Sequence, residues 1–186
     1  MSFEEVIEQP SIPTDRLVLR PLEASDAGLI EMYGSDKRVA FNTSSIPHPL
    51  PPGSAQAFIT RATAAERSED VWAIDAINAT DDESGAQSRE LVGLISLERM
   101  DRGQSEVGYW VAPAYWNTGV ASEAVEALIR ANPQANRTIF ASVFQDNPAS
   151  ARVLTNAGFD YIGDAESFSV ARDAAVPTWT YLKKLD

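Results

Sequence analysis

The chain has 186 residues, of which 44% are hydrophobic, so it predicts one globular domain with a substantial core and excludes a disordered chain. Its formal net charge of −12 excludes a nucleic-acid partner, because phosphate contacts need clustered Lys and Arg. Cysteine is absent, which excludes disulfides, a Cys-ligated metal and a thiol nucleophile. His48 is the single histidine, which argues against a multi-His metal site and a Ser-His-Asp triad.

The N-terminal segment predicts no targeting signal. Residues 1–13 carry two prolines and little periodicity, so we predict a loose lead-in followed by a single domain over residues 14–186. The start, MSFEEVIEQP, is acidic where a secretory signal is basic and then apolar. No apolar run approaches the roughly 18 residues of a membrane helix. We therefore expect a cytoplasmic protein, a monomer or a homodimer, with no membrane partner.

The first third of the domain predicts a strand and two helices. The segment RLVLR at residues 16–20 alternates, with its leucines on one face and Val18 and the arginines on the other. Ser25 is predicted to cap an amphipathic helix. The proline-rich segment at residues 46–53 predicts irregular structure, because Pro lacks an amide donor. A second helix is predicted from Ser54.

The remaining chain predicts mainly strands. They are expected at residues 71–77, 91–97, 106–111 and 138–144 and in a closing hairpin around Phe168 and residues 179–182. The segment TDDESGAQS, residues 80–88, predicts a polar connection between two of them. The fold class is therefore α+β, with helices flanking one mixed, mostly antiparallel sheet of about six to seven strands.

The segment YWNTGVASEA at residues 115–124 predicts a turn that leads into a helix. The first amides of a helix lack internal partners, so they can hold a phosphate without a cationic side chain, and none is present in this loop. Gly119 and the small Ala121 allow a ligand to approach the backbone. The alternative is that Gly119 serves only as a helix cap.

A second helix start follows the strand at residues 138–144. Asn147 is a good N-cap, Pro148 suits the first helical position, and Gly158 suits the left-handed residue after the helix. Each of these two helices is entered directly from a strand. We therefore expect both N-termini at the ends of adjacent strands, where ligands often bind.

Five stretches carry a resemblance to a known family. They are TDRLVLRPLEASDA (14–27), IPHPLPPGSAQAFI (46–59), LVGLISL (91–97), EVGYWVAPAYWNTGVASEA (106–124) and NPASARVLTNAGF (147–159). In this order they resemble the GNAT superfamily of acyl-CoA-dependent N-acyltransferases, in particular its RimJ/RimL branch of ribosomal-protein N-terminal acetyltransferases. The resemblance implies a GNAT fold, acetyl-CoA as acyl donor and no metal.

The resemblance also implies which residues meet the cosubstrate. Backbone amides around Thr118 to Ser122 hold the pyrophosphate, the strand at Trp110 and Val111 pairs with the pantetheine arm, Asn147 contacts that arm, and Ser150 lies near the thioester sulfur. The whole implied cofactor-binding set is Trp110, Val111, Asn117, Thr118, Gly119, Val120, Ala121, Ser122, Asn147, Ser150 and Arg152. For Arg152 two interpretations stay open, a contact to the CoA 3′-phosphate or a place on the helix surface.

The chain departs from the family pattern at four positions. Trp116 stands where GNAT proteins usually carry Arg or Gln, although aromatic residues are usual there in the RimJ/RimL branch. Asn117 and Thr118 depart from that branch's preference for Gly and basic residues. Leu154 stands where many members have a Tyr that acts as the acid.

Acyl transfer to an amine needs a base for the amine and a hydrogen-bond donor for the departing thiolate. Glu106, at the start of the strand before the cofactor turn, is our candidate base, and a solvent-facing strand carboxylate is the alternative. Ser150 is our candidate acid, and a helix-first-turn hydroxyl bonded to backbone is the alternative. Tyr109 and Trp110 are interpreted as sheet core, as are Trp72, Trp116 and Trp179.

Together these features predict an acetyl-CoA-dependent N-acetyltransferase that acts on a primary amine by direct attack in a ternary complex. The expected acceptor is a protein or peptide N-terminus, because about a tenth of α-amines are neutral at pH 7 against well under a thousandth of lysine amines. Two alternatives stay open. One is a small amine, amino acid or antibiotic as acceptor, and the other is a non-catalytic acyl-CoA sensor.

Overall fold

A computed structural model of the protein describes residues 9–78 and 88–186. Within them lie eight strands, β1 (Ile12–Pro13), β2 (Leu17–Pro21), β3 (Glu69–Asn78), β4 (Ser88–Met100), β5 (Gln104–Val111), β6 (Thr138–Phe144), β7 (Asp160–Ser169) and β8 (Ala174–Lys184). The same residues form five α-helices, α1 (Ala27–Gly34), α2 (Lys37–Ala40), α3 (Ser54–Ala62), α4 (Val120–Ala131) and α5 (Pro148–Asn156).

The strands form one sheet in the order β1-β2-β3-β4-β5-β6-β8-β7. All neighbours are antiparallel except β5 and β6, which are parallel. The predicted α+β class and mostly antiparallel sheet are confirmed, and the described strands number eight. The additional strand is β1, which lies in the segment that the sequence predicts to be a loose lead-in.

The end of the lead-in is attached to the sheet. The Gln9 side-chain amide donates to the Val71 carbonyl at 2.6 Å, and the buried Trp72 indole N–H donates to the Pro10 carbonyl at 2.8 Å. Ile12 then pairs with Leu19 of β2. The prediction of a loose segment was therefore wrong for residues 9–13, because those hydrogen bonds involve strand β3 and cannot be read from the local sequence.

Helices cover both faces of the sheet. On one face α4 and α5 pack on the larger core, whose members include Leu17, Leu19, Val125 and Leu154. On the other face α1 and α3 pack on a second core that includes Ile30, Ile59 and Leu94. Val18, predicted to lie opposite the leucines of β2, is buried as well, because no face of the strand is left to solvent.

The entry to α1 differs from the prediction. The group that closes this turn is Asp26, whose carboxylate accepts the Glu23 N–H at 2.8 Å, whereas Ser25 is exposed. The same carboxylate pairs with Arg20 at 2.8 Å, and Arg20 also pairs with Asp75 of β3 at 2.6 Å. A buried carboxylate needs such a partner, so the ion pair to β2 selects Asp26 over its neighbour.

The other local predictions can be compared directly. Residues 46–53 contain no helix or strand, and α3 begins at Ser54, so both predictions are confirmed. The polar connection predicted for TDDESGAQS lies, apart from Ser88, outside the described residues. Among the residues that are described, no helix is long and apolar enough to cross a membrane.

Candidate active site

A gap opens in the sheet between β5 and β6. The two strands pair only through Gln104 with Thr138, Ser105 with Ile139 and Glu106 with Phe140, and beyond these pairs they separate. Helix α4 follows β5 and α5 follows β6. The prediction of two helix N-termini at the ends of adjacent strands is therefore confirmed, and both helices start at the open end of the gap.

The edge of β5 offers backbone groups to this gap. Ala112 N–H donates to Val92 on β4 at 2.8 Å, and alternate residues of a strand direct their polar groups to opposite edges. Val111 and Tyr109 therefore point their backbone groups away from β4 and toward the gap. The Val111 carbonyl accepts the Trp116 indole N–H at 2.7 Å.

The backbone of Trp110 points the other way. Its carbonyl lies so close to Gly93 of β4 that an added Cβ there would sit 2.3 Å from it. The Trp110 ring packs edge-on against Tyr33 with centroids 6.2 Å apart, and it is half-buried. Of the two β5 residues that the resemblance assigns to pantetheine pairing, Val111 thus faces the gap with its backbone, whereas Trp110 lines the groove with its side chain.

The N-terminus of α4 has no side-chain cap. Its N-cap Gly119 has φ +82°, and Asn117 two residues earlier has φ +60°, both in the left-handed region. The Glu123 N–H makes the first bond of the helix, to the Gly119 carbonyl. The amides of Val120, Ala121 and Ser122 are therefore the ones without an intrahelical partner, as an anion site requires.

A cation reaches this loop from another part of the chain. Arg16 donates through Nη1 to the Thr118 carbonyl at 3.0 Å and pairs with Glu123 of α4 at 3.1 Å. Thr14 also donates to Glu123, at 2.8 Å. Sequence reasoning missed Arg16, because it lies more than a hundred residues from the loop and no local motif links the two.

Two side chains of the loop have local roles that the sequence did not predict. The Thr118 hydroxyl donates to the Tyr115 carbonyl, so its proton is directed into the turn. Trp116, interpreted from sequence as core, is 39% exposed and has Arg38 over its ring. That interpretation was wrong because the indole N–H is held at Val111, which keeps the ring at the mouth of the gap. Trp72, in contrast, is confirmed as core.

Helix α5 has the ends that the sequence predicts. Asn147 Oδ1 accepts the Ser150 N–H at 3.4 Å, Pro148 occupies the first helical position, and Gly158 after the helix has φ +87°. Leu154, at the position of the family's Tyr, is fully buried in the core. Arg152 lies exposed on the helix.

The Ser150 side chain meets a residue to which the sequence gave only a packing role. Tyr109 Oη lies 2.8 Å from Ser150 Oγ and 3.1 Å from the Ser150 carbonyl oxygen. Burial raises the pKa of Tyr109 to about 12, so its hydroxyl keeps its proton. Two hydroxyl groups therefore lie together beside the gap.

A groove of about 780 Å³ joins these residues to Glu106. Its walls include Tyr109, Asn147 and Ser150 on the α5 side and Glu106 and Trp110 on the opposite side of β5. Successive residues of a strand face opposite sides of a sheet. The groove therefore passes through the sheet at the gap and connects its two faces.

Glu106 belongs to a row of three carboxylates on adjacent strands. Glu69 of β3 pairs with Glu98 of β4, and Glu98 pairs with Glu106 of β5. All three line the groove. Partial burial raises the pKa of Glu106, and the negative charges of Glu98 and Glu69 raise it further. A carboxylate with a raised pKa is a stronger base, and like charges opposite one another destabilise the sheet until a cation approaches.

The described residues contain no group of acidic or histidine side chains that could hold a metal. His48, the single histidine, lies at the surface with its ring edge-on to Phe41, and the ring centroids are 6.2 Å apart.

Comparisons with known proteins concern the family and the fold of the chain. A family model described as an acetyltransferase (GNAT) domain matches residues 16–160. The chain is similar to the uncharacterized N-acetyltransferase YoaA of Bacillus subtilis (strain 168), at 28% identity over 163 residues that cover 83% of this chain and 85% of that protein. It is also similar to the ribosomal-protein-serine acetyltransferase of Escherichia coli (strain K12), at 30% identity over 101 residues, covering 52% and 56% of the two chains.

Among solved structures, the fold is similar to that of RimL, a ribosomal L7/L12 alpha-N-protein acetyltransferase in complex with coenzyme A. The TM-score is 0.76 at 17% identity, and the match covers 95% of this chain and 99% of that one. At this identity the likeness shows the fold alone.

Proposed function

Because the chain belongs to the GNAT acetyltransferase family, we propose that it transfers the acetyl group of acetyl-CoA to a primary amine by direct attack in a ternary complex. The proposed acceptor is the N-terminal α-amine of a protein or peptide. One observation carries the proposal. The groove runs from Asn147 and Ser150 at the start of α5, past Tyr109 at the gap, to the carboxylate row at Glu106.

The cosubstrate is proposed to lie with its pyrophosphate on the α4 N-terminus. The amides of residues 120–122 and the positive end of the helix dipole bind the anion. Arg16 balances the nearby Glu123 carboxylate, which would otherwise repel the phosphates. The pantetheine arm then follows the gap, where the backbone of Tyr109 and Val111 and the side-chain amide of Asn147 provide hydrogen bonds.

The chemistry takes place where the groove crosses the sheet. Glu106 accepts the proton of the acceptor amine, directly or through water, and its raised pKa makes it a better match for an amine. The amine nitrogen attacks the thioester carbonyl, and the C–S bond breaks with its electron pair on sulfur. A thiol pKa of about 8.5 makes the thiolate a fair leaving group, so a hydrogen bond from Ser150 is sufficient assistance.

The row of three carboxylates supports a cationic amine as acceptor over an uncharged acceptor molecule. The negative field of Glu69, Glu98 and Glu106 attracts a cationic amine, and proton transfer to Glu106 then produces the neutral nucleophile. An α-amine needs less assistance than a lysine amine because its pKa is lower. The similar protein from Escherichia coli and RimL are both acetyltransferases of ribosomal proteins, which also favours a protein N-terminus.

The test is acetyl-CoA turnover across a matched panel of acceptors. The panel contains peptides with a free α-amine and no lysine, the same peptides with a blocked N-terminus and one lysine, and small amines including amino acids. Free CoA is measured with a thiol reagent, and the protein itself adds no signal because it contains no cysteine. Mass spectrometry then locates the acetyl group.

We expect turnover with the free α-amine peptides and none above hydrolysis with the blocked ones. Turnover with small amines alone would mean that the acceptor is a small amine rather than a peptide N-terminus. Binding of acetyl-CoA without turnover on any member of the panel would favour a non-catalytic sensor, for which the Leu154 substitution is the supporting feature.

A further inference from the structure

Tyr109 makes a specific contact that sheet packing does not require. Its ring packs against the larger core, while its hydroxyl reaches across the gap from β5 to α5. There it meets both oxygens of Ser150, the side-chain Oγ at 2.8 Å and the backbone oxygen at 3.1 Å. The two residues are 41 positions apart, so the contact depends on how β5 and α5 pack.

The phenol has one proton to donate, and both Ser150 oxygens lie within its reach. A carbonyl oxygen can accept two hydrogen bonds, so the distances and the other partners of the two oxygens have to be compared. Ser150 is the third residue of α5, so its carbonyl accepts the N–H four residues later as part of the helix. The Ser150 N–H is bonded to Asn147 Oδ1. Only Oγ lacks a partner other than Tyr109 among the described residues, and it is also the closer oxygen.

We propose that Tyr109 is a positioning residue that donates to Ser150 Oγ and so directs the Ser150 proton into the gap, toward the sulfur of the cosubstrate. This inference rests on the proposed function for the location of that sulfur. A serine hydroxyl rotates freely about its Cβ–Oγ bond, and donation from Tyr109 occupies an acceptor position of the oxygen. The orientation that remains points the Ser150 O–H at the groove.

The electron and proton balance of the step is simple. As the C–S bond breaks, its electron pair moves to sulfur, and the thiolate accepts a hydrogen bond from Ser150. Tyr109 donates to Ser150 at the same time, and such chained hydrogen bonds strengthen one another. Neither hydroxyl loses its proton. Glu106 takes the first proton of the cationic amine and passes it to water, and the nitrogen loses a second proton to water once it is bonded to the acyl carbon. The released thiolate takes one proton back from water, so one proton is released to solvent overall.

Tyr109 also accounts for the loss of the family's helix Tyr at Leu154. Leu154 is fully buried on α5 and has no polar group to offer. Tyr109 supplies a phenol from the opposite wall of the gap, and the hydroxyl acts through Ser150. Because it is held protonated, the donor is present over the whole working pH range.

The deciding experiment uses the bound product and needs no acceptor. CoA is added to the protein, and the ultraviolet absorbance of its thiolate is titrated in the complex. With no cysteine in the chain, the thiolate signal comes from CoA alone. We expect a thiol pKa in the parent complex at least about one unit below that of free CoA titrated under the same conditions, because the hydrogen bond favours the anion.

Three variants and a control test whether Tyr109 acts on the thiolate through Ser150. Tyr109→Phe and Ser150→Ala should each return the thiol pKa to near the free value, and the double variant should equal Ser150→Ala, because the Tyr109 hydroxyl acts through Ser150. Tyr181→Phe, another buried tyrosine, is the matched control and should leave the pKa unchanged. In turnover with a peptide acceptor, Tyr109→Phe should lower kcat about tenfold and leave the KM for acetyl-CoA within about twofold.

The outcomes separate the two proposals. A depressed thiol pKa in both the parent and Tyr109→Phe overturns the role of Tyr109, and so does an effect of Tyr109→Phe that persists in the Ser150→Ala background. A normal thiol pKa in the parent overturns the Tyr109–Ser150 pair as a thiolate donor. Absence of turnover with every amine counts against the proposed function only, since the titration needs bound CoA and no acceptor. Failure to bind CoA overturns both.

Discussion

The two proposed binding regions, a cofactor end at α4 and an acceptor end at Glu106, are built from opposite materials. The proposed cofactor end consists of backbone, an uncapped helix N-terminus at Gly119 and one guanidinium, that of Arg16 just before β2. The acceptor end consists of side chains, the carboxylates of Glu69, Glu98 and Glu106 in register on three strands. In the proposed complex, a chain of net charge −12 therefore binds an anion through exposed amides and a cation through aligned carboxylates.

This difference makes a testable division. Changes at the acceptor end should alter the rate and the amine dependence, and changes at the cofactor end should alter acetyl-CoA affinity. A variant that changes both the catalytic rate and the acetyl-CoA affinity to the same extent would contradict this division.

Replacing Glu106 with Gln has the largest expected effect. Loss of the base should lower kcat/KM for the amine by about a hundredfold or more, with the Kd for acetyl-CoA unchanged. Only the ionised carboxylate is a base, so activity of the parent should fall as the pH drops through the raised pKa of Glu106, and the variant should lack this limb. Steady-state rates against pH and calorimetric binding measure the two effects.

Glu126→Gln is the matched control, because it removes the same charge from the exposed face of α4. It should keep the parent's rate and pH profile. A Glu106→Gln variant with the parent's activity would leave Glu106 as an ordinary strand carboxylate.

Replacing Gly119 with Val has the next largest expected effect. The left-handed φ of +82° disfavours a β-branched residue, and the new Cβ would lie 3.2 Å from Arg16 Nη2. The displaced amides should weaken acetyl-CoA binding about thirtyfold to a hundredfold, measured as Kd by calorimetry.

A second glycine separates this effect from simple strain. Gly53 is the N-cap of α3 with φ +81°, nearly the same conformation, and nothing lies within 4 Å of an added Cβ. Gly53→Val should lose comparable stability and keep the parent's acetyl-CoA affinity. Equal affinity losses in the two variants would mean that the α4 loop is not the phosphate site.

Arg16→Gln should have a moderate effect on the same end. The exposed Arg16 pairs with Glu123, and such pairs contribute at most about 1 kcal/mol, so we expect a Kd for acetyl-CoA up to about fivefold higher. The amine KM should stay unchanged. Arg130→Gln, which removes an exposed cation from the last turn of α4, is the control for net charge.

Glu98→Gln should have the smallest effect, confined to the acceptor end. Removing one carboxylate should raise the amine KM about twofold to threefold, since cross-strand charge pairs contribute less than about 1 kcal/mol. It also removes a charge that raises the pKa of Glu106, so the acidic limb of the pH profile should shift to lower pH. A shift to higher pH would contradict the proposed coupling between these carboxylates.

Local sequence predicted the parts of the site that depend on neighbouring residues. Asn147 and Pro148 start α5 and Gly158 follows its end, as expected, because capping and left-handed turns are decided within a few residues. Gly119 before α4 follows the same rule. The family resemblance added the fold, which the sheet order confirms and which periodicity alone could not supply.

What the sequence could not predict depends on packing between distant segments. Arg16 reaches the α4 loop because β2 lies under α4, and the carboxylate row exists only in the register of three strands. The hydroxyl pair of Tyr109 and Ser150 likewise requires β5 and α5 to meet. In each case one-dimensional spacing contains no trace of the contact. The assignments of Glu106 and Ser150 to catalysis stay predictions.

The short parallel pairing of β5 with β6 would, with the proposed cosubstrate in the gap, couple folding to ligand binding. Only three residue pairs join β6, and through it β8 and β7, to the rest of the sheet. A ligand bonded along the gap adds a further link between the two parts. At a concentration a hundredfold above its Kd, a ligand of the native state adds about 2.7 kcal/mol to the free energy of unfolding. The amount of folded protein in a cell would then depend on the supply of its acyl donor.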